Sequence, residues 1–418
     1  MTVTITAKNS AQHSYAGNDL NALTTPKQVA GSYGLVDSFG KFIPNTGPVG
    51  VLNFNQQKLR KWRAAIARVT AKTGRGVLCI LGDSRVTGFG AKGVANFLDT
   101  KASNRAAKIA AYLTAQGIPA HVDSFFCDGN VNSGNVTLPQ YDPRVTMGAG
   151  WSNTGNYNVG QWTGCGKACM NSTTLNAMVF APGSTSDKVD LYYLTRPGFG
   201  TFTVTVNGSV VSTINSSEAQ SLKKATITVP KGVNTFTITP TVLGTGVFIY
   251  GMDCYDSTNP KISVWTIGNS GAGIPSMTYN SYPWEGTQPF KNSVFNVDMT
   301  VIDIGVNDAN NQLAVATFKA NMLTTITNVQ TVSDVALCTF VPASLASWPR
   351  AALPLVQSYW DKITEAAIAK GIPLIDHGNR FVSYEISNPL GYFADTLHQS
   401  GLGMADQALV DAKVLTAV

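Results

Sequence analysis

Val77 to Gly90 reads VLCILGDSRVTGFG. An apolar run of strand length gives way to a polar turn punctuated by glycines, as when a buried parallel strand leaves its sheet. Open α/β sheets place their ligands at the carboxyl ends of such strands. Ser84 stands at that end. Taken alone it is either a nucleophile or a serine capping the next helix, and both readings stay open.

Around this stretch, short apolar runs alternate with amphipathic patterns. Strands are predicted at Val77 to Leu81, His121 to Phe126, Ile262 to Ile267, Thr300 to Ile304, Val335 to Phe340 and Pro373 to Ile375. Helices are predicted over Gln57 to Thr70, Asn104 to Gln116, Ala314 to Val329 and Leu355 to Lys370. Two of them exit through QGIPA (from Gln116) and KGIPL (from Lys370), a glycine suited to the left-handed C′ position followed by a proline that cannot continue the helix. Each exit feeds a strand. The alternation predicts an α/β fold with a doubly wound, flavodoxin-like parallel sheet.

One region breaks the alternation. From about Asn130 to Tyr255 there is no amphipathic helix, while TFTVTVNGSVVSTI (from Thr201) alternates apolar and polar residues and turns at Asn207-Gly208. A second pair, ATITVPKGVNTFTITP (from Ala225), is expected to turn around Lys231-Gly232, and GVFIYGMDCY (from Gly246) supplies another strand. The chain thus divides into an N-terminal extension (1–56), a discontinuous α/β unit (57–129 and 258–418) and an inserted, jelly-roll-like β-sandwich (130–257). The extension is read as ordered, an oligomerisation arm or an attachment segment, with no choice among these, and oligomeric state is left open.

Charged residues make up only 13% of the 418, and Gly, Ser, Thr and Asn fill the polar balance. The net charge is +6, yet the seven basic residues from Lys58 to Arg75 exceed that whole surplus. In this segment Leu59, Trp62, Ile66 and Val69 mark one apolar stripe, so the lysines and arginines are the wet face of a helix. No recognition motif accompanies them, and no nucleic-acid partner is expected. No apolar run reaches the ~18 residues of a membrane span, and the N-terminus has neither a basic nor an apolar signal-peptide region. Cys79 and Cys338 fall in apolar runs as buried thiols, whereas Cys165 and Cys169, in CGKAC, suit a local disulfide or, with partners from elsewhere in the chain, a metal pair. No histidine lies near them, and no metal or other cofactor is expected.

Serine hydrolysis needs a hydroxyl, a base, a group that orients the base, and donors for the oxyanion. The G-x-S-x-G elbow is absent from the chain. Of the four histidines, His398 lies three residues after Asp395 in ADTLHQSGLG, a spacing at which a carboxylate reaches Nδ1. VIDIGVNDAN (from Val301) puts Asn307 beyond a strand end, where its amide suits an oxyanion. VWTIGNSGAGIPS (from Val264) does the same for a backbone N–H at Gly271. Each of these residues has an ordinary loop or turn reading when taken singly.

Together, GDS at Ser84, SG at Gly271, GVND at Asn307 and DTLH at His398 follow one another in the order of the SGNH, or GDSL-type, hydrolases. The sequence resembles that family over about 70–128 and 258–415. The resemblance implies Ser84 as nucleophile, His398 as general base and Asp395 as its orienter. It implies an oxyanion hole from the backbone N–H groups of Ser84 and Gly271 and the Asn307 side chain, with Gly268 and Gly273 as neighbours a small misalignment would substitute. Arg85 departs from the apolar residue often found after the serine. The chain between Ser84 and Gly271 is also far longer than is usual in the family, and the insertion accounts for most of it.

The family includes lipases, thioesterases, lysophospholipases and carbohydrate O-acetyl esterases, so the fold leaves the substrate open. The insertion carries Trp151, Tyr157 and Trp162 near its start, which suit either sugar stacking or a sandwich core. Arg85, Trp151 and Trp162 are the expected substrate contacts. The expectation is a serine esterase removing O-acetyl groups from a polysaccharide, resembling phage tail-spike esterases in composition, and extracellular or virion-associated rather than cytoplasmic. The alternatives are a short-chain lipase or thioesterase, and a non-catalytic carbohydrate-binding or virion structural protein.

Overall fold

The computed structural model describes residues 51–54, 56–126, 137–152, 169–171 and 173–417, with the backbone of five short strands within residues 1–50. Seven strands form the central sheet, in the order Val51–Leu52, Leu374–Ile375, Asp334–Cys338, Met299–Asp303, Gly76–Gly82, Ile262–Gly268 and Ala120–His121. All neighbours are parallel except the first pair, in which Val51–Leu52 runs antiparallel to Leu374–Ile375. These two residues, expected in the extension, instead complete the sheet edge. Val77, Cys79 and Leu81 face one apolar cluster, and Leu78 and Ile80 the other. Helices cover both faces: Arg60–Thr70, Arg105–Ala115 and Gly401–Thr416 pack on one side, Val315–Gln330 and Gln357–Lys370 on the opposite one. The fold is doubly wound α/β, as the alternation predicts.

The helix signals act where expected. Asn104 caps its helix by accepting from the Ala107 N–H, and Gly117 and Gly371 take positive φ beyond two helix ends. The basic helix buries Trp62, Ala65 and Val69 and turns its cations outward. Among the described residues no helix is long and apolar enough to cross a membrane.

The insertion forms two antiparallel sheets. One has five strands, in the order Val145–Met147, Met178–Phe180, Phe236–Gly244, Phe199–Val206 and Ser209–Asn215. The other has Trp151–Ser152, Cys169–Asn171, Val247–Tyr255, Thr185–Thr195 and Ser221–Val233, with Ser124–Phe126 also paired to Val247–Tyr255. A single core lies between them. The predicted His121 to Phe126 strand is therefore two elements, one in each kind of sheet. Asn207 and Gly208 both take positive φ at their hairpin. The second turn falls three residues later than expected: Ser221–Val233 runs through Lys231-Gly232, the bend lies at 234–235, and the two strands expected as a pair enter different sheets. The Asn234 amide donates to the Ser186 and Pro230 carbonyls to hold the bend.

Exposure differs between the two sheets. Phe199–Val206 alternates buried and half-buried residues, whereas Val247–Tyr255 is buried almost throughout. The outer face of its sheet, through Tyr192, Phe248 and Tyr250, packs on Trp265, Phe295 and the core of the α/β unit. Arg75 reinforces this seam: it reaches the buried Asp190 and Asp253 carboxylates at 2.6 Å each and stacks 3.6 Å above the Tyr255 ring.

Candidate active site

Ser84 opens a one-turn helix, Ser84–Thr87, straight after the Gly76–Gly82 strand. Asp83 caps this turn by accepting from the Arg85 N–H at 3.0 Å, while Asn104 Nδ2 and the Tyr141 hydroxyl donate to the Thr87 carbonyl. Two glycines permit the close packing. A Cβ at Gly268 would fall 2.1 Å from Thr87 Oγ1, and one at Gly90 would fall 2.8 Å from the Gln399 carbonyl. The serine turn is thereby held against its neighbouring strand and against the C-terminal loop that carries His398.

The structure brings together residues 314 positions apart. Ser84 Oγ lies 2.9 Å from His398 Nε2, and His398 Nδ1 lies 2.8 Å from Asp395 Oδ2. Asp395 Oδ1 also accepts the backbone N–H groups of Leu397 and His398, which closes a local turn around the imidazole. Partial burial opposes ionisation of Asp395, but its bonds to the His398 ring and to these N–H groups outweigh that cost and hold the carboxyl below its ordinary value. Phe89 packs its ring 4.2 Å from the imidazole and rests edge-on against Phe97. A neutral imidazole with its proton on Nδ1 presents the Nε2 lone pair to Ser84, so this array can accept a hydroxyl proton.

Two further loops meet near the sheet's carboxyl end. Gly271, solvent-exposed with φ +78°, follows the Ile262–Gly268 strand, and Asn307 begins beyond Met299–Asp303. Asn307 Nδ2 donates to the Ala272 carbonyl at 2.9 Å, and both Asp308 oxygens lie 3.0 Å from the Ile274 N–H. Consecutive side chains thus clamp the Gly271 loop. Burial drives the Asp308 carboxyl up to about 7, against the opposing Ile274 bond and with help from the Asp83 charge.

Three expected substrate contacts fare differently. Arg85 is only 4% exposed, and its Nη1 donates to the Val341 carbonyl while Nε lies 3.5 Å from Asp83 Oδ1. It is turned inward because the fully buried Asp83 needs a countercharge, which partly offsets the effect of burial in raising that carboxyl. Trp151 is also a core residue, 8% exposed, with Nε1 donating to the Asn176 carbonyl. Trp162 lies outside the described residues, as do Tyr157 and Cys165; Cys169 is buried in its strand.

Sequence reasoning missed a polar hub beneath the site. The buried Arg105 guanidinium reaches Asp303 and Asp411, with Nη2 2.8 Å from Asp411 Oδ1, 2.9 Å from His377 Nε2 and 3.2 Å from Cys338 Sγ. Cys338, His377 and Asp411 form the cluster with metal-ligand chemistry among the described residues, and the arginine cation already contacts all three.

A second Ser–His–Asp array lies at the other end of the sheet. Ser263 Oγ is 3.0 Å from His121 Nε2, and His121 Nδ1 is 2.8 Å from Asp123 Oδ2, which also accepts the Ser184 hydroxyl. Its sequence signal was the short spacing of His121 and Asp123.

No family model matches the sequence, and no curated protein matches it. Among solved structures, one described as a peptidoglycan O-acetylesterase aligns over 84% of this chain and 94% of its own, with 16% identity and a TM-score of 0.62. A lipase/acylhydrolase from Enterococcus faecalis aligns over 36% of this chain and 74% of its own, at 23% identity and a TM-score of 0.31. A catalytic mutant of an acetylxylan esterase from Geobacillus stearothermophilus aligns over 38% and 74%, at 18% identity and a TM-score of 0.30. The first of these shares the overall fold.

Proposed function

We propose that this chain is a carboxylic ester hydrolase that removes O-acetyl groups from a polysaccharide through an acyl-enzyme on Ser84. The observation that carries the reading is the continuous hydrogen-bonded path from Ser84 Oγ through His398 to Asp395. Ser84 Oγ attacks the ester carbonyl carbon as His398 Nε2 takes its proton, and Asp395 holds the ring and balances the imidazolium. The oxyanion accepts from the backbone N–H groups of Ser84 and Gly271 and from Asn307, whose amide has a second N–H beyond the one given to Ala272. His398 then protonates the departing sugar oxygen, leaving acetyl on Ser84. Water attacks the acyl-enzyme, His398 takes its proton and returns it to Ser84 Oγ, and acetate leaves. The O-acetyl part of the proposal draws on the fold shared with a peptidoglycan O-acetylesterase.

A short-chain lipase or thioesterase is the second reading, favoured by one observation. Val94, Leu98, Leu390 and Leu402 are large exposed apolar residues on segments flanking Ser84 and His398. One assay separates the readings: acetate release from acetylated glycans beside hydrolysis of aryl esters of increasing chain length, with Ser84→Ala as control. Acetyl esters are expected to be cleaved fastest. Rates that climb with acyl length would move the assignment to the second reading. No hydrolysis by the wild type would leave a carbohydrate-binding or structural protein.

A further inference from the structure

A cavity of about 340 Å³ opens where the insertion meets the amino end of the parallel sheet. Its volume lies in the ~300–1,000 Å³ range of small-ligand sites, but its lining is polar where such sites are mostly apolar. His121, Asp123, Asn259 and Lys261 come from the sheet side, and Ser184, Lys231, Tyr255 and Asp256 from the sandwich. We propose that this cavity is a distal subsite for a neutral, polyhydroxylated stretch of glycan; its part in ester hydrolysis rests on the function proposed above.

The framework is fixed before any ligand arrives. Asp123 Oδ2 takes the His121 ring and the Ser184 hydroxyl, Lys231 pairs with Asp256 at 3.0 Å, and Arg75 covers one face of Tyr255. Other polar groups on the same wall have no protein hydrogen-bond partner among the described residues: the Asn259 side-chain amide, the Lys261 ammonium and the Tyr255 hydroxyl, while Asp123 Oδ1 faces only the Arg144 guanidinium, at 3.8 Å. Together they provide donors and acceptors in the mixture that vicinal hydroxyls require. Two lysines stand against two aspartates in the lining, so neither sign of fixed charge is in excess between them and the cavity fits a polyol better than an anion. Its place in the fold sets the reach. Ser263 beside His121 pairs with Val77, five residues before Gly82, so at ~3.3 Å per residue the cavity lies roughly 17 Å from the Ser84 end of the sheet. A ligand that engages both points must be a chain of several sugars.

The test uses the full-length Ser84→Ala protein, titrated calorimetrically with unsubstituted chito-oligosaccharides and xylo-oligosaccharides. Saturable binding of at least one series is expected, weakened fivefold or more when Lys261→Ala and Asn259→Ala are added, both being substitutions at the cavity rim. With Ser84 restored, this pair of substitutions should leave aryl acetate turnover within twofold while raising KM for an acetylated polymer. Binding that is absent in both series, or that survives the rim substitutions unchanged, would overturn the subsite. If the wild type cleaves no ester at all, the hydrolase reading fails, and the titration alone still decides the cavity. A melting temperature equal to the parent's excludes misfolding of the rim variant, and Asn259→Ala alone gives a weaker effect of the same sign.

Discussion

The Ser84 and Ser263 arrays have almost the same dimensions and very different surroundings. Their hydroxyl-to-imidazole distances are 2.9 and 3.0 Å, and both imidazole-to-carboxylate distances are 2.8 Å. Ser84 begins a helix, where the first N–H groups lack intrahelical partners, and two clamped loops stand at the same end of the sheet. Ser263 is the second residue of a central strand, 1% exposed, laddered to Val77 on one side and His121 on the other. Its hydroxyl satisfies a ring nitrogen of the half-buried His121. The contrast teaches that triad distances describe hydrogen-bond economy, while chemistry depends on free backbone donors and a path for substrate.

The largest expected effect tests that contrast directly. Ser84→Ala should lower kcat for an aryl acetate by roughly 10³-fold or more, whereas Ser263→Ala should leave kcat within about twofold and lower the melting temperature. Equal losses in both would erase the distinction. Next come the carboxylates: Asp395→Asn should cost roughly 10²-fold or more in kcat by disfavouring the productive tautomer. Asp123→Asn should instead lower stability by about 1–3 kcal/mol, the cost of disturbing a buried hydrogen-bonded group, read from urea midpoints with turnover retained.

The smallest effect belongs to Asp308, which clamps the loop beside only one of the two arrays. Its carboxyl is raised from 3.8 to about 7, so across that window the folded protein keeps a proton the unfolded chain has released. Its contribution to stability is therefore greatest below the window and declines as pH rises through it. Asp308→Asn removes the decline, so the variant should gain on the wild type between pH 5 and pH 8 in urea midpoint. A constant difference would show that Asp308 does not titrate there.

Much of this architecture was legible because it depends on local signals. The glycine-then-proline exits, the Asn207-Gly208 hairpin and the change from helical to alternating periodicity each act within a few residues. The candidate site was suggested by short motifs, and the structure brings Ser84, Asp395 and His398 together beyond the carboxyl end of the central strands. What escaped the reading was burial. Arg85 and Trp151 carry the chemistry of surface recognition, yet one neutralises Asp83 and the other fills the sandwich core. The Arg105 hub draws on residues up to 306 positions apart, none with a distinctive neighbour in sequence. Removing one partner of such a buried set typically costs about 3–5 kcal/mol.

The doubly buried Val247–Tyr255 strand also bears on how the chain assembles. Between the turn holding Ser84 and the strand leading to Gly271, the polypeptide must pass through the whole sandwich, and the sheet it crosses is the floor on which Trp265 and Phe295 settle. Contacts this distant in sequence are slow to form, because loop-closure entropy is lost before they repay it. Ser84 and His398 therefore meet late, and assembly of the candidate site waits upon the module inserted within the α/β unit.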